Sequence, residues 1–561
     1  MLSLLLARWR ALLPGVLVVL LSACGDRQPP AEQGLLSHVP ADTPYVFTNL
    51  QPLPEAAAGK LLALYEQAVT WYRERLASET QPPVGSDAAK AWRLADALLA
   101  ELQGKLNPEG YAELGLRLDG RVLVYGEGLA PVLRIELADG QKVRELIARI
   151  ERRAGLQAPR ALYGDTEYLR IDLEALRLLI GVRGNELIAG LVPAERESEL
   201  LPRLFGEERP ATTLAHSGEF EQLLRSYQLP GYGDGYVSLE RLGGRLQQLS
   251  SAGAGGSVPG ADANCRALVE GLLGGVPRLV MGTTEASGER YGIRMVAETS
   301  PAVGQVLAGL AYPVPGLGVP TDALFAMGLG VDIPRLRGGL RQLLQYLARS
   351  RGDCALVDAA AIEQAIPQLE LVLGPMTAMF KGLYLELIDL QLDPETRQPR
   401  DLRLRALAEV DDPRGVFAMA GMLNPELAQL QVPEDGTPVA VPAQLLPPAV
   451  PPLQVAIRER SLVVTAGADG DRLARELLAA APATPAPLLA VSYNFERLGR
   501  LLQQGTEPLA ALAAEQQGLS PEQVVADLQG MLRMYQAYRV IAFSLTADAR
   551  GLVLDERIEF R

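Results

Sequence analysis

An α+β fold made of two related tandem lobes, each an antiparallel sheet with helices packed on one face, is what this 561-residue sequence predicts. Three observations predict it. Short apolar strands recur that end at Asp, Asn or Glu and run into helices with Arg-Leu near their start. Pairs of apolar runs recur around turns rich in Asp, Pro or Gly, which marks hairpins. Both pieces come in the same order in each half, which implies an internal duplication with a joint near residues 313–320. The first lobe is placed at 35–312 and the second at 313–561.

The first lobe opens at Val39-Pro40-Ala41-Asp42-Thr43-Pro44-Tyr45-Val46-Phe47, a strand entered through prolines, with an apolar helix at 61–65 behind it. A strand at 132–137 leads to Asp139, a side chain suited to capping a helix. Val143, Leu146, Ile147 and Ile150 then fall at three- and four-residue steps as far as Gly155, one buried stripe with a glycine stop. A hairpin at 178–190 turns at Gly184-Asn185 and feeds a helix at 195–204. Tyr236-Val237-Ser238-Leu239 is a strand that enters a helix at Glu240-Arg241-Leu242. The lobe closes with a hairpin at 279–296 that turns at 285–288.

The second lobe repeats the scheme. Leu324-Phe325-Ala326-Met327 leads through Val331-Asp332 to a helix carrying Arg335, Leu336, Leu340, Leu343 and Leu344. An apolar helix at 376–380 precedes a hairpin at 383–410 with its turn at Asp393-Pro394. A hairpin at 453–465 feeds a helix at 471–478. Leu489-Ala490-Val491-Ser492-Tyr493-Asn494 enters a helix at Phe495-Glu496-Arg497-Leu498, and a last hairpin spans 540–554. Asp332 and Asn494 stand where helix N-caps are wanted. Two stretches join no element. Residues 250–260 are rich in Gly and Ser and read as a linker. Repeated prolines near 437–452 exclude a helix or a central strand, so this insertion reads as a solvated loop over the lobe surface.

Composition is that of globular protein, with 48% apolar and 21% charged residues. Net charge is −14, a balance that disfavours nucleic acid and anionic lipid. Aromatics make up 5%, too few for the stacking platforms a sugar-binding face uses.

The first 23 residues have the order of a secretory signal: Arg8 and Arg10, an apolar run at 11–21 containing Pro14, then small residues. The run is too short to span a membrane. Leu21-Ser22-Ala23-Cys24-Gly25 resembles the lipobox of bacterial lipoprotein precursors. The resemblance implies cleavage before Cys24, palmitate-type acyl chains on its sulfur and amine, and a tether at 24–34. Several chains on one cysteine anchor firmly where one would not. Gly25 rather than Asp after the cysteine implies the outer membrane, facing the periplasm. Losing residues 1–23 removes two arginines and no acid, so the mature chain is two units more negative. The opening Pro40-Ala41-Asp42-Thr43-x-Tyr45, with the recurring hairpin-helix units, resembles a family of uncharacterised bacterial envelope proteins. That resemblance implies no catalytic residue. Tether plus sheet and helix is also similar, at the level of fold alone, to the small lipid-carrying lipoproteins of the outer-membrane sorting pathway.

Of the 3 cysteines, lipidation of Cys24 leaves Cys265 and Cys354. In an oxidising compartment the pair predicts a structural disulfide; two separate buried thiols are the alternative. The 2 histidines, His38 and His216, lie far apart without ligand-spaced neighbours and read as surface or cap residues. Asp469-Gly470-Asp471 lacks the further ligands of a calcium loop and reads as a turn with a helix N-cap. Nucleophile elbow, phosphate loop and paired redox cysteines are missing from the sequence. No cofactor or metal site is expected. The leading expectation is a non-enzymatic, membrane-anchored lipoprotein that presents a two-lobed surface to another envelope protein. A second is a periplasmic carrier of a hydrophobic or lipid ligand, with the apolar helices at 61–65 and 376–380 lining its cavity. A third is an enzyme with an unrecognised carboxylate site of raised pKa.

Overall fold

The computed structural model describes residues 34–561 apart from 79–81, 84, 174, 252–262, 350–358, 393–398, 424–426, 447–450, 502–519, 521–523 and 526–534. Cys24, Cys354, most of the Gly/Ser-rich linker and the turn at Asp393-Pro394 lie outside the described residues. The α+β class holds: helices and antiparallel strands alternate along the chain. Two compact units form. One holds the described residues up to Gln248 with Arg278–Ile293, and the other holds Leu249–Pro277 with Arg294–Arg561. Residues 249–277 and 294–312, read as the end of the first lobe, therefore sit with the second unit. Packing explains the transfer. Cys265 and Leu268 of the helix Ala263–Gly275 are buried with Leu347 of the helix Ile333–Arg349 against them.

The first unit contains β1 (Tyr45–Asn49), β2 (Val122–Glu127), β3 (Ala130–Glu136), β4 (Arg160–Tyr163), β5 (Thr166–Leu173), β6 (Leu176–Arg183), β7 (Glu186–Pro193), β8 (Asp234–Ser238) and β9 (Arg278–Ala286). Their order is β4-β5-β6-β7-β3-β2-β1-β8-β9, every pair antiparallel. The β6–β7 hairpin closes with Arg183 opposite Glu186, as the Gly184-Asn185 pair predicts. Gly184 takes φ 56°, a conformation most side chains resist.

Asp139 caps the helix Gly140–Ala154 by accepting from the amides of Gln141 and Lys142, and Gly155 ends it at φ 63°. Val143 and Leu146 of its stripe are buried with Val122, Ile135 and Val182 of the sheet. The long helices Glu55–Ser78 and Asp87–Leu102 add Leu62, Val69, Leu76 and Leu99 to that core. Each such leucine or valine contributes about 1.5–3 kcal/mol by leaving water.

The helix Glu197–Leu204 covers the other face of the same sheet. A Cβ on Gly181 would strike the Phe205 ring, and one on Gly190 would strike Leu204. Gly181 and Val182 are neighbours in β6, so they point to opposite faces. Helices thus pack on both faces, not on one as the sequence reading held. The run Leu178-Leu179-Ile180-Gly181-Val182 carries the reason, because a strand apolar on both sides is covered on both sides.

The second unit contains residues 294–298 of β10 (Arg290–Glu298), then β11 (Phe325–Gly330), β12 (Phe380–Leu392), β13 (Pro399–Val410), β14 (Val439–Ala440), β15 (Leu453–Arg458), β16 (Ser461–Ala466), β17 (Leu489–Asn494), β18 (Tyr538–Asp548) and β19 (Gly551–Phe560). The order is β14-β15-β16-β13-β12-β11-β17-β18-β19, again antiparallel throughout. Asp332 and Asn494 cap as expected, accepting from the amides of Arg335 and Arg497 at 3.0 Å. Asp469 does not. It stands at the N-cap of the helix Gly470–Ala479 without a capping bond, and its carboxylate is taken by Arg403 and Arg472.

This sheet too is covered on both faces. Leu473, Ala474 and Leu477 of that helix meet Ala456, Val463 and Leu407. On the other side Val455 and Ile457 are buried with Val441, while Leu445 and Leu446 pack on them. The described part of the proline-rich insertion is therefore packed over the sheet surface rather than wholly solvated.

Candidate functional site

The middle of the second sheet is where alternation leaves something uncovered. β11 reads Phe325-Ala326-Met327-Gly328-Leu329-Gly330, large and small residues in turn. Met327 lies between Leu385 of β12 and Val491 of β17, and Leu329 lies between Leu383 and Leu489. Direct cross-strand neighbours sit about 5 Å apart, so these side chains form one continuous apolar face. It is open: Leu383 is 44% exposed, Leu489 41% and Met327 40%. Scattered exposed leucines are ordinary; a contiguous group of them marks a contact surface.

The small residues point the other way. Ala326, Ala490, Ser492, Ala542, Ser544 and Arg557 share the opposite face by register. With the loop 317–320 above them they bound a half-open cavity of about 150 Å³. Leu317 is wholly buried beside Tyr384 and anchors that loop. Glycines at 316 and 318, at φ 79° and 77°, let the loop turn so tightly.

A buried network holds the cavity's edge in place. Glu386 accepts from Thr321 Oγ1 at 2.5 Å, from Tyr384 Oη at 2.9 Å and from Arg405 Nε. Burial, with the Glu386 carboxylate alongside, pushes the Tyr384 phenol well above its ordinary pKa.

The residues singled out from sequence fall elsewhere. His38 is half-buried rather than at the surface. Burial and then Arg134, Arg209 and Arg183 lower its pKa to about 3, so its ring is neutral at physiological pH. His216 is exposed, with Nδ1 2.7 Å from the hydroxyl of Thr213, the residue that caps the helix Leu214–Ser217. That is the cap setting the sequence suggested. Leu61 is buried in packing, and Met376 is 63% exposed on a four-residue helix, Pro375–Ala378. Neither of the helices proposed for a carrier lines the cavity. Among the described residues no group of three His, Cys, Asp or Glu side chains is placed to hold a metal.

Sequence reading missed Asp234. It is buried at the start of β8, where Oδ1 accepts from the amide of Thr283 at 2.9 Å and Oδ2 has no partner. Burial raises its pKa to about 7. The signal in the sequence is Gly233-Asp234-Gly235, an acid that opens an apolar strand. Leu229 and Gly282 pack on it, so its shift comes from enclosure and not from a facing acid.

Neither a protein-family model, nor a curated protein, nor a solved structure matches this chain.

Proposed function

We propose that the chain is a non-enzymatic lipoprotein of the bacterial envelope, held in the outer membrane by acylated Cys24, that presents the apolar face of its second sheet to another envelope protein. The observation that carries the docking reading is the continuous exposed group of Met327, Leu329, Leu383 and Leu489. The lipobox-like run ending at Cys24 supports the anchor. The test has two arms. Cys24→Ser is expected to abolish acyl labelling and release or stall the precursor; processing and membrane retention like the parent would overturn the anchor. A photo-crosslinker at position 383 in cells is expected to give one discrete protein adduct that Met327→Asp removes. A control crosslinker at the exposed Glu221 should not give it. No adduct, adducts with lipid alone, or an adduct indifferent to Met327→Asp would overturn the docking reading.

We further propose that the two units descend from one duplicated block. The order β9-β8-β1-β2-β3-β7-β6 in one and β18-β17-β11-β12-β13-β16-β15 in the other supports it. Paired details support it as well. Ser238 and Asn494 each cap a following Arg, at 241 and 497. Those arginines donate to the carbonyls of Thr43 and Asp322, and the amides of Ser238 and Asn494 donate to the carbonyls of Pro44 and Leu324. Val39-Pro40-x-Asp42 and Val319-Pro320-x-Asp322 stand in matching places. An experimental structure with a different strand order in either unit would refute the duplication.

Cys265 is proposed to pair with Cys354. Its complete burial, and a sulfur that is bonded rather than titrating, support the pairing. Unreduced mature protein, once unfolded, is expected to show no reactive thiol, and two would refute the bond.

A further inference from the structure

We propose that a polar cavity at the turn end of the first sheet binds a small zwitterion, a molecule with a carboxylate at one end and a primary ammonium at the other. Two hairpin turns build the cavity. The register that sets Tyr168 opposite Gly181, carried two residues further, sets Thr166 opposite Arg183. The β4–β5 turn at Gly164-Asp165 therefore stands beside the β6–β7 turn at Gly184-Asn185. Neighbouring strands lie about 5 Å apart, so the two turns face one shared space. Arg144, from the helix Gly140–Ala154, and Glu207, just beyond the helix Glu197–Leu204, complete its wall. All of these residues belong to the first unit.

The charges in this space are sorted. Arg144 and Arg183 line it with Asp165 and Glu207. Opposite charges in one pocket ordinarily pair, yet among the described residues no ion pair joins either arginine to either acid. Backbone bonds hold them apart. Arg144 Nη2 donates to the Val182 carbonyl at 3.1 Å, and Arg183 Nη1 donates to the Phe205 carbonyl. A guanidinium has five N–H donors, so each arginine keeps several for a ligand. The Glu207 carboxylate lies against the other turn: a Cβ on Gly164 would come within 2.7 Å of its Oε1. Asp165 is exposed in that same turn. Cations at one turn and anions at the other leave a gap that a ligand of both signs bridges. A simple anion would meet the two acids, and a simple cation the two arginines. A zwitterion's carboxylate accepts charge-assisted bonds from the guanidinium groups while its ammonium donates to Asp165 and Glu207. Size and lining set the rest. The cavity holds about 290 Å³, and a single water needs about 10–15 Å³, so an amino acid fits with part of its water shell. Val182 is the one apolar side chain in the wall among the described residues, so no greasy tail is accommodated.

The experiment uses the full chain carrying Cys24→Ser, purified without detergent, with binding followed by ligand-observed NMR. The probes are glycine, β-alanine, γ-aminobutyrate, δ-aminovalerate and ε-aminocaproate, which scan the separation of the two charges, with butyrate and butylamine as single-charge controls. At least one zwitterion is expected to bind saturably at one site, with an optimum at one chain length. Butyrate and butylamine should each bind about tenfold or more weakly than the best zwitterion, because each leaves one set of charges unmet. Arg183→Gln should weaken the best zwitterion about tenfold and leave butylamine no weaker; Asp165→Asn should do the same and leave butyrate no weaker. Far-UV circular dichroism and the urea midpoint confirm that each variant folds. If Arg183→Gln does not, the probe series on the parent chain and Asp165→Asn, a change in an exposed turn, decide the matter. No saturable binding, a best zwitterion that binds no better than butyrate or butylamine, or binding indifferent to Asp165→Asn overturns the proposal. Met327→Asp, on the docking face of the other unit, should leave zwitterion affinity intact, so this proposal and the docking reading fail separately.

Discussion

Glu386→Ala is expected to cost the second unit about 3–5 kcal/mol. Its carboxylate is buried and accepts from Thr321, Tyr384 and Arg405. Removing it strands the Arg405 guanidinium and the Tyr384 hydroxyl without a partner, and an uncompensated buried charge is what makes such a change severe. Glu386→Gln should fall between, because it keeps the shape and loses the charge. The double replacement Glu386→Leu with Arg405→Leu should recover much of the loss, since desolvating the ion pair costs nearly what the pair returns. Urea unfolding measures all three. Equal losses in the single and double variants would show that the network contributes only its packing.

Asp234→Asn is expected to remove a destabilisation that the parent carries at neutral pH. The folded-state pKa of Asp234 is raised from 3.8 to about 7. A raised acid holds its proton more tightly in the folded chain. Its contribution to stability is fully present below about pH 4, is lost as pH climbs to about 7, and stays lost above. Three units correspond to about 4 kcal/mol. His38 runs the other way. Its folded-state pKa is lowered to about 3, so its contribution is present above its ordinary 6.5 and fades as pH falls. Over the window between pH 4 and 6.5 the two slopes oppose, and the parent should look flat. Asp234→Asn should unmask loss of stability in acid and be more stable than the parent at pH 8. A variant with the parent's pH profile would show that Asp234 ionises freely.

Local structure was legible where a single residue settles a backbone choice. Asp139 with Gly155 bounded one helix, Gly184-Asn185 fixed a hairpin and its register, and Asn494 placed a helix start. Long-range placement was not. The helix Glu55–Ser78 carries little one-sided pattern, because alanine and glycine stand at both its buried positions (Ala57, Ala58) and its exposed ones (Ala56, Gly59, Ala63), and only 61–65 was read; the helix Asp87–Leu102 went unread. β4 and β5 went unread because their apolar residues alternate weakly. The small-large alternation of β11 was in plain sight, but its meaning depended on which strands flank it. The acid at 234 needed Leu229 and Gly282 above it before its chemistry showed. Pairing across the sheets is non-local, and one sequence carries no direct record of it.

The two-residue strand β14 has a consequence for the chain's fate in a crowded compartment. An edge strand is a row of unpaired amides and carbonyls, and a long flat one recruits further strands into fibrils. Here the edge is Val439-Ala440, bounded by Pro438 and Pro442. Proline has no amide to give, so Pro438 and Pro442 offer no donor to an incoming strand, while on the inner side the backbone bonds to β15 continue from Gly436 to Ile457 and from Val441 to Leu453. The β15 edge behind it is partly capped by a piece too short to template another chain. A second-unit sheet with so much open leucine would otherwise be an aggregation hazard, and these prolines act as its gatekeepers.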